Sequence, residues 1–166
     1  FPIIFMRHLR AVKVSTPNSL TEWYKVKNPL IVIFNFLVIY CCKYLPSLAL
    51  KRFLLRLTGM KIEANVSVGL GASFDIFFPE LITIKENSVI GFNALILCHE
   101  FLIKEYRTGE TIIGRNVVIG ANSTVLAGVE IGDNSIIGAC SLVNSDVPAN
   151  SFYAGIPARE IKKKRK

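Results

Sequence analysis

Six consecutive hexapeptides in the C-terminal half repeat one pattern of apolar and polar positions without a break. They begin at Ile113, Ile119, Val125, Ile131, Ile137 and Val143. The second position is Gly at Gly114, Gly120, Gly132 and Gly138. The fifth is Val117, Ser123, Val129, Ser135, Ser141 and Val147. A fixed period of six predicts an all-β solenoid, a parallel β-helix. Each aliphatic first residue points inward and stacks on its equivalents in adjacent coils. The small or β-branched fifth residue also faces the core, and Gly or Asn near the corner tolerates the φ/ψ of the bend. Three hexads close a triangular coil of about eighteen residues, and coils stack at about 4.8 Å.

The frame extends backward. Ile84, Ile90 and Ile96 start three more hexads, and Ile62, Val68 and Phe74 another three, giving twelve hexads and about four coils. Phe78 and Glu100 are poor fifth positions. Insertions around Pro79–Thr83 and Leu102–Ile112 each follow a multiple of three hexads, so both leave the prism at the same corner. Insertions on one face of a solenoid often mark its binding face.

Upstream the period changes. Leu30–Cys42 is apolar except for Asn35 and is bounded by Pro29 and Lys43. A spanning helix needs about twenty residues, so this segment is too short alone. After Pro46, Leu50, Phe53, Leu54 and Leu57 recur at helical spacing, with Lys51, Arg52 and Arg56 on the other face and Gly59 as a stop. Two readings stand: helices that cap the first coil, whose strand edges are otherwise open, or a peripheral membrane contact through residues 29–58. The expected divisions are an arm and helical cap over 1–61, the β-helix over 62–148 with a loop at 102–112, and a C-terminal loop, short helix and basic tail over 149–166. The length, 166 residues, suits one domain. Phe1–Phe5 precede Met6 and read as an upstream remnant, and no secretory signal is evident.

Charge is unevenly placed within a net of +8. Residues 1–61 carry ten basic and one acidic residue, residues 62–158 four and ten, and residues 159–166 six and one. An acidic body between basic flanks argues against nucleic acid and leaves an anionic membrane surface open. Cys41, Cys42, Cys98 and Cys140 form no CxxC pair and read as reduced, mostly buried thiols. The expected location is the cytoplasm, with peripheral contact at the inner face of the membrane held open.

Two histidines are present. His8 lies in a basic stretch and reads as solvated. His99 closes the second coil just before the Leu102–Ile112 insertion. The repeat interior has no use for an imidazole, so His99 projects outward at a corner, with a reference pKa suited to general-base work. A zinc site needs three such ligands and fails on count, so no metal is expected. A Cys98–His99 dyad is disfavoured because adjacent strand residues point to opposite sides.

Residues 82–164, and 58–81 more loosely, resemble the hexapeptide-repeat acyltransferases, in the branch of maltose and galactoside O-acetyltransferases. The stretches that carry this are ITIKENSVIGFNALILCHEFLIKEYRTGE, IGANSTVLAGVEIGDNSIIGA and AGIPAR. The resemblance implies a left-handed parallel β-helix, an exception to the right-handed crossover preference. It also implies a homotrimer with active sites between neighbouring subunits and acetyl-CoA in a groove beside the coils. His99 would be the base for direct transfer without an acyl-enzyme. Ala121 and Ala139 match small residues flanking the pantetheine arm. Asn144 and Ser145 match a pair that is often Thr-Lys, so Ser145 lacks a cation. Arg159 and Lys162 match basic residues near the CoA phosphates, and Lys163–Lys166 read as a solvated charge run.

On the acceptor side, Asp75 could orient a hydroxyl, orient a neighbouring subunit's His, or serve as a corner-turn Asp. Glu100 and Glu105 are carboxylates that could hold the second imidazole nitrogen. Phe74, Phe77, Phe78 and Phe92 read as core or trimer contacts, some forming an apolar wall for a sugar ring. The resulting expectation is an acetyl-CoA-dependent O-acetyltransferase acting on a sugar or cell-envelope glycan precursor. The alternatives are a noncatalytic β-helix scaffold or regulatory protein and an N-acyltransferase for an amino sugar or xenobiotic.

Overall fold

The structure is a computed structural model that describes residues 7–15 and 17–162. Phe1–Phe5 and Lys163–Lys166, singled out above, lie outside the described residues. The chain begins with β1 (Arg10–Lys13) and a short α1 (Trp23–Val26). Two helices follow, α2 (Pro29–Tyr44) and α3 (Leu48–Leu57). Asn28 caps α2 by accepting from the Leu30 amide at 2.9 Å, with Pro29 in the first turn, where its missing N–H costs nothing. Ser47 caps α3, and Gly59, at φ +95°, turns the chain away after it.

The coils follow the hexad frame throughout. Coil one holds β2 (Lys61–Ile62), β3 (Ser67–Val68) and β4 (Ser73–Phe74). Coil two holds β5 (Ile82–Ile84), β6 (Val89–Ile90) and β7 (Leu95–Ile96). A hairpin of β8 (His99–Phe101) and β9 (Glu105–Thr108) then leaves the prism. Coil three holds β10 (Thr111–Ile113), β11 (Val118–Ile119) and β12 (Thr124–Val125). Coil four holds β13 (Glu130–Ile131), β14 (Ile136–Ile137) and β15 (Leu142–Val143). The chain ends in β16 (Phe152–Ala154) and β17 (Arg159–Glu160).

All ladders between coils are parallel and in hexad register. Ile62, Ile84, Ile113 and Ile131 stack on the first face, Val68, Ile90, Ile119 and Ile137 on the second, and Phe74, Ile96, Val125 and Val143 on the third. All twelve are buried. Interior serines are satisfied rather than merely small: Ser88 donates to Gly114 O at 2.7 Å and accepts from the Val117 amide at 3.0 Å.

Gly and Asn divide the corner work in a way periodicity does not show. The second-position glycines provide close approach: a Cβ on Gly120 would lie 2.4 Å from the Ala139 nitrogen. The left-handed bend falls instead at the fourth position, on Asn65, Asn87, Asn93, Asn116, Asn122 and Asn134, with Gly71, Gly128 and Cys140 in the same role. Asn tolerates positive φ because its short side chain bonds locally. Here the amides also form ladders, Asn87 to Asn116 at 2.8 Å and Asn116 to Asn134 at 3.0 Å.

Two expectations change. The insertion read as a loop at 102–112 is an antiparallel hairpin beginning at His99, and β1 adds to it as a third strand. The short C-terminal helix is absent among the described residues. Phe152–Ala154 instead continue the second-face ladder beyond β14, and β17 folds back on β16. Strand pairing there satisfies backbone groups that a helix would leave open at the last coil.

The hydrophobic pattern leaves open which side of α3 packs inward. Its cationic side meets the coil, together with buried Leu55 and half-buried Leu54. Buried Lys51 donates to Val68 O and Gly69 O, both at 3.0 Å. Arg52 donates to Val66 O at 3.0 Å and Arg56 Nε to Ile62 O at 2.8 Å. Asn35, the polar break in α2, donates to Ile76 O at 3.0 Å. These side chains satisfy carbonyls of the first coil that have no strand below them.

Replacing Lys51 by Met should therefore destabilise the fold by about 1–3 kcal/mol, because two acceptors lose their donor. Lys61→Met, at an exposed position, should stay within about 0.5 kcal/mol. Chemical denaturation of both variants checks this difference.

Candidate active site

The corner between the third face and the first face collects the chemistry. Asp75 leaves this corner from coil one and His99 from coil two, where the hairpin departs. The Asp75 side chain is fully buried and all its acceptor capacity points at neighbours. Oδ1 accepts from the Phe77 and Phe78 amides, both at 2.9 Å. Oδ2 accepts from the Cys98 amide at 2.8 Å and lies 2.5 Å from His99 Nδ1. Asp75 is thus a corner-turn aspartate and an orienter of the histidine in its own chain. It does not reach a substrate, because no face of the carboxylate is open.

Burial alone would raise the Asp75 carboxyl. The hydrogen bond and charge of His99, with the Phe78 and Cys98 amides, outweigh burial and hold its pKa below the ordinary carboxylate value. An ionised Asp75 places the ring proton on Nδ1 and turns the lone pair to Nε2. Nε2 makes no hydrogen bond with another described residue. The His99 side chain is only 14% exposed.

Aromatic rings account for much of that cover. Phe77 and Phe101 lie with ring centroids 4.9 Å from the imidazole, and Phe78 at 5.9 Å. Trp23 packs edge-on to Phe77 at 5.8 Å, and Tyr106 stands 6.1 Å from Phe101. Phe74 is a core residue, and Phe92 is exposed on a different corner. Lys27 pairs with Glu80 and lies 5.0 Å from the Phe78 ring centre.

Glu100 and Glu105 do not hold the imidazole. Glu100 pairs with Arg7, and Glu105 accepts from Arg107 Nε at 2.7 Å. Both belong to the hairpin sheet, where strand alternation turns them away from His99. Exposed His8 lies 3.1 Å from Asp146, so it is solvent-facing but paired rather than free. Cys98 points into the core, and burial, with further contributions from its neighbours, pushes its thiol up to about 12. It is therefore un-ionised near neutrality and no thiolate nucleophile.

The donor-side candidates lie elsewhere. Half-buried Ala121 and exposed Ala139 stack at the corner between the second and third faces. Asn144 and Ser145 sit on the His99 corner but two coils higher, and Arg159 and Lys162 are exposed on and beyond β17. One chain therefore brings His99, Asp75 and the aromatic rings together and leaves Ala121 and Ala139 at a separate corner. Sequence reasoning missed Phe101 as a neighbour of the histidine, and Trp23 and Tyr106 as the rings packed behind Phe77 and Phe101. The lone tryptophan was the available signal, but nothing local assigns it to this corner.

Comparison with known proteins agrees with this architecture. The family model described as bacterial transferase hexapeptide (six repeats) matches residues 110–145. The putative acetyltransferase YvoF of Bacillus subtilis (strain 168) is 43% identical over 157 residues, covering 94% of this chain and 91% of that protein. The chain belongs to the hexapeptide-repeat acetyltransferase family. The galactoside O-acetyltransferase of Escherichia coli (strain K12) is 32% identical over 105 residues, 63% of this chain and 52% of its own length. A hexapeptide-repeat acetyltransferase of Vibrio cholerae O1 biovar eltor, solved with acetyl-coenzyme A, superposes with a TM-score of 0.63. It is 20% identical, with 82% of this chain and 88% of that one covered. That likeness is one of fold, the left-handed parallel β-helix.

Because Asp75 has a lower pKa folded than unfolded, its ionised form stabilises this acetyltransferase above the unfolded value, ~3.9. That contribution is lost as pH falls through the folded value. Asp75→Asn should be less stable than the parent near neutrality and show a smaller further loss as pH falls from about 5 through the folded Asp75 value. Denaturant unfolding at several pH values measures both.

Proposed function

We propose that this family member is an acetyl-CoA-dependent O-acetyltransferase that acetylates a hydroxyl of a sugar or cell-envelope glycan precursor in the cytoplasm. The observation that carries the reading is the buried Asp75 fixing His99 through Nδ1, which leaves Nε2 uncommitted among the rings of Phe77, Phe78 and Phe101. The acceptor hydroxyl gives its proton to Nε2 as its oxygen attacks the thioester carbonyl. Asp75 stabilises the imidazolium that forms. A backbone N–H stabilises the oxyanion of the tetrahedral species. Collapse expels the CoA thiolate, which takes the proton back from His99, and no acyl-enzyme forms.

The sugar assignment is supported by the galactoside O-acetyltransferase relative and by Phe77, Phe101 and Tyr106, whose apolar faces suit a pyranose ring. Acetyl-CoA as donor is supported by family membership. The separation of His99 from Ala121 and Ala139 favours a homotrimer. In it the pantetheine-flanking corner of one subunit faces the His99 corner of the next, and Arg159 and Lys162 approach the CoA phosphates. An N-acyltransferase would use the same base, so amino sugars belong in the acceptor panel.

His99→Ala should lower kcat by about 10²- to 10⁴-fold, the usual contribution of a general base, while acetyl-CoA still binds. Asp75→Asn should lower kcat by less. Acetyl transfer to a panel of mono- and disaccharides reads this, and undiminished transfer by His99→Ala would overturn the mechanism. Calorimetric titration of acetyl-CoA should show Arg159→Ala weakened by about tenfold, the size of one charge-assisted contact.

A further inference from the structure

The base of the prism is built with its polarity reversed. A surface helix ordinarily buries its apolar stripe and exposes its charges. In α3 the cations face the coil beside buried Leu55, while Leu50, Phe53 and Leu57 are exposed. The neighbouring α2 buries Val32, Asn35, Ile39 and Cys42 against the coil and leaves the rest of its apolar surface outward, including Phe34 and Leu37. One stripe of α2 is aromatic, with Phe36 stacked on Tyr40 at 5.7 Å and Tyr40 edge-on to Tyr44 at 5.6 Å. The two outward faces lie side by side under the first coil, and a contiguous run of exposed apolar side chains of this kind marks an interaction surface.

Charge selects the occupant. Between residues 28 and 62 there are five basic residues and no acidic one. Lys51, Arg52 and Arg56 bond to neutral carbonyls, and none of them pairs with an acid among the described residues. Lys61 is exposed and Lys43 half-exposed beside the apolar area. A second copy of this face would bring like charge against like charge. An anionic bilayer offers the complement, acyl chains for the leucines and phenylalanines beneath headgroups that attract Lys43, Arg56 and Lys61 at the rim of that face. Tyrosines with one apolar and one polar end suit that boundary. α2, with 16 residues, is about 24 Å long against a hydrocarbon core of about 30 Å. No helix among the described residues is long and apolar enough to cross a membrane.

We infer that the outward face of α2 and α3 is a docking surface for an anionic lipid bilayer, on which the prism stands by its first coil with both helices lying along the interface.

The test is flotation of the full chain with vesicles of phosphatidylcholine alone or mixed with phosphatidylglycerol. The expected result is partition into the mixed vesicles about tenfold or more above the neutral ones, falling in high salt. Leu37→Asp combined with Phe53→Asp should abolish partition. These side chains are 54% and 58% exposed, so the variant should keep the parent's unfolding midpoint. His99→Ala should float like the parent, since docking needs no turnover. Failure of acetyl transfer would therefore leave this inference standing. Absence of partition, or equal partition of the double-aspartate variant, would overturn it. So would a solution mass that falls in that variant while the parent ignores both vesicles, which would assign the face to contacts between copies.

Discussion

Every strand of the prism is two or three residues long and has no stability of its own. What holds the molecule is the hydrogen bonding of each coil to the coils above and below it in one register. That single constraint sets the rest. Coils at strand spacing leave no room for a Cβ beneath Ala139, hence Gly120. The tight bends need a residue that accepts positive φ, hence the asparagines at the fourth positions. The interior is narrow, so its ladders are Ile and Val, closed at the corners by residues such as Ser88 that satisfy their own hydroxyls.

A stack of paired coils has two open ends, and this chain closes them differently. At the top, β16 and β17 continue and then fold back the second-face ladder. At the base, the carbonyls of the first coil point to where no strand lies, and Lys51, Arg52, Arg56 and Asn35 reach them from two helices. Using cations for this purpose turns α3 over. Leu50, Phe53 and Leu57 then face away from the protein, so the exposed apolar base is a consequence of capping the β-helix with charged side chains.

The same stacking makes the candidate site. A chain that leaves the prism at one corner in successive coils puts unlike residues directly above one another there. Asp75 and His99 meet because the first coil's departing turn lies under the second coil's. Neither residue needs the interior, and the rings of Phe77 and Phe101 close around the imidazole from the same two departures. The candidate site thus sits where the repeat is broken, while the intact repeat holds that break in place.

The coils were legible in the chain because each first and fifth position meets the core through its own short-range geometry, so a period of six survives even around Phe78 and Glu100. His99 stood out for the same reason, as a residue the repeat could not use, and its likeness to a known family supplied the expected chemistry. The partner of His99 was not legible: Asp75 was in view with three readings, and only the offset between stacked coils chose the histidine of its own chain. Glu100 and Glu105 were plausible by proximity in sequence and excluded by strand alternation in the hairpin. Periodicity fixed that Lys51, Arg52 and Arg56 share a face of α3 but not which face turns inward, since that depends on unpaired carbonyls contributed by residues 62–69. The sequence by itself determined the repeat, its interruptions and the outlying histidine, all of them local or periodic properties. The tertiary structure alone decided the dyad, the inverted helix and the paired C-terminal strands, because each depends on backbone groups that only stacking brings within hydrogen-bonding distance.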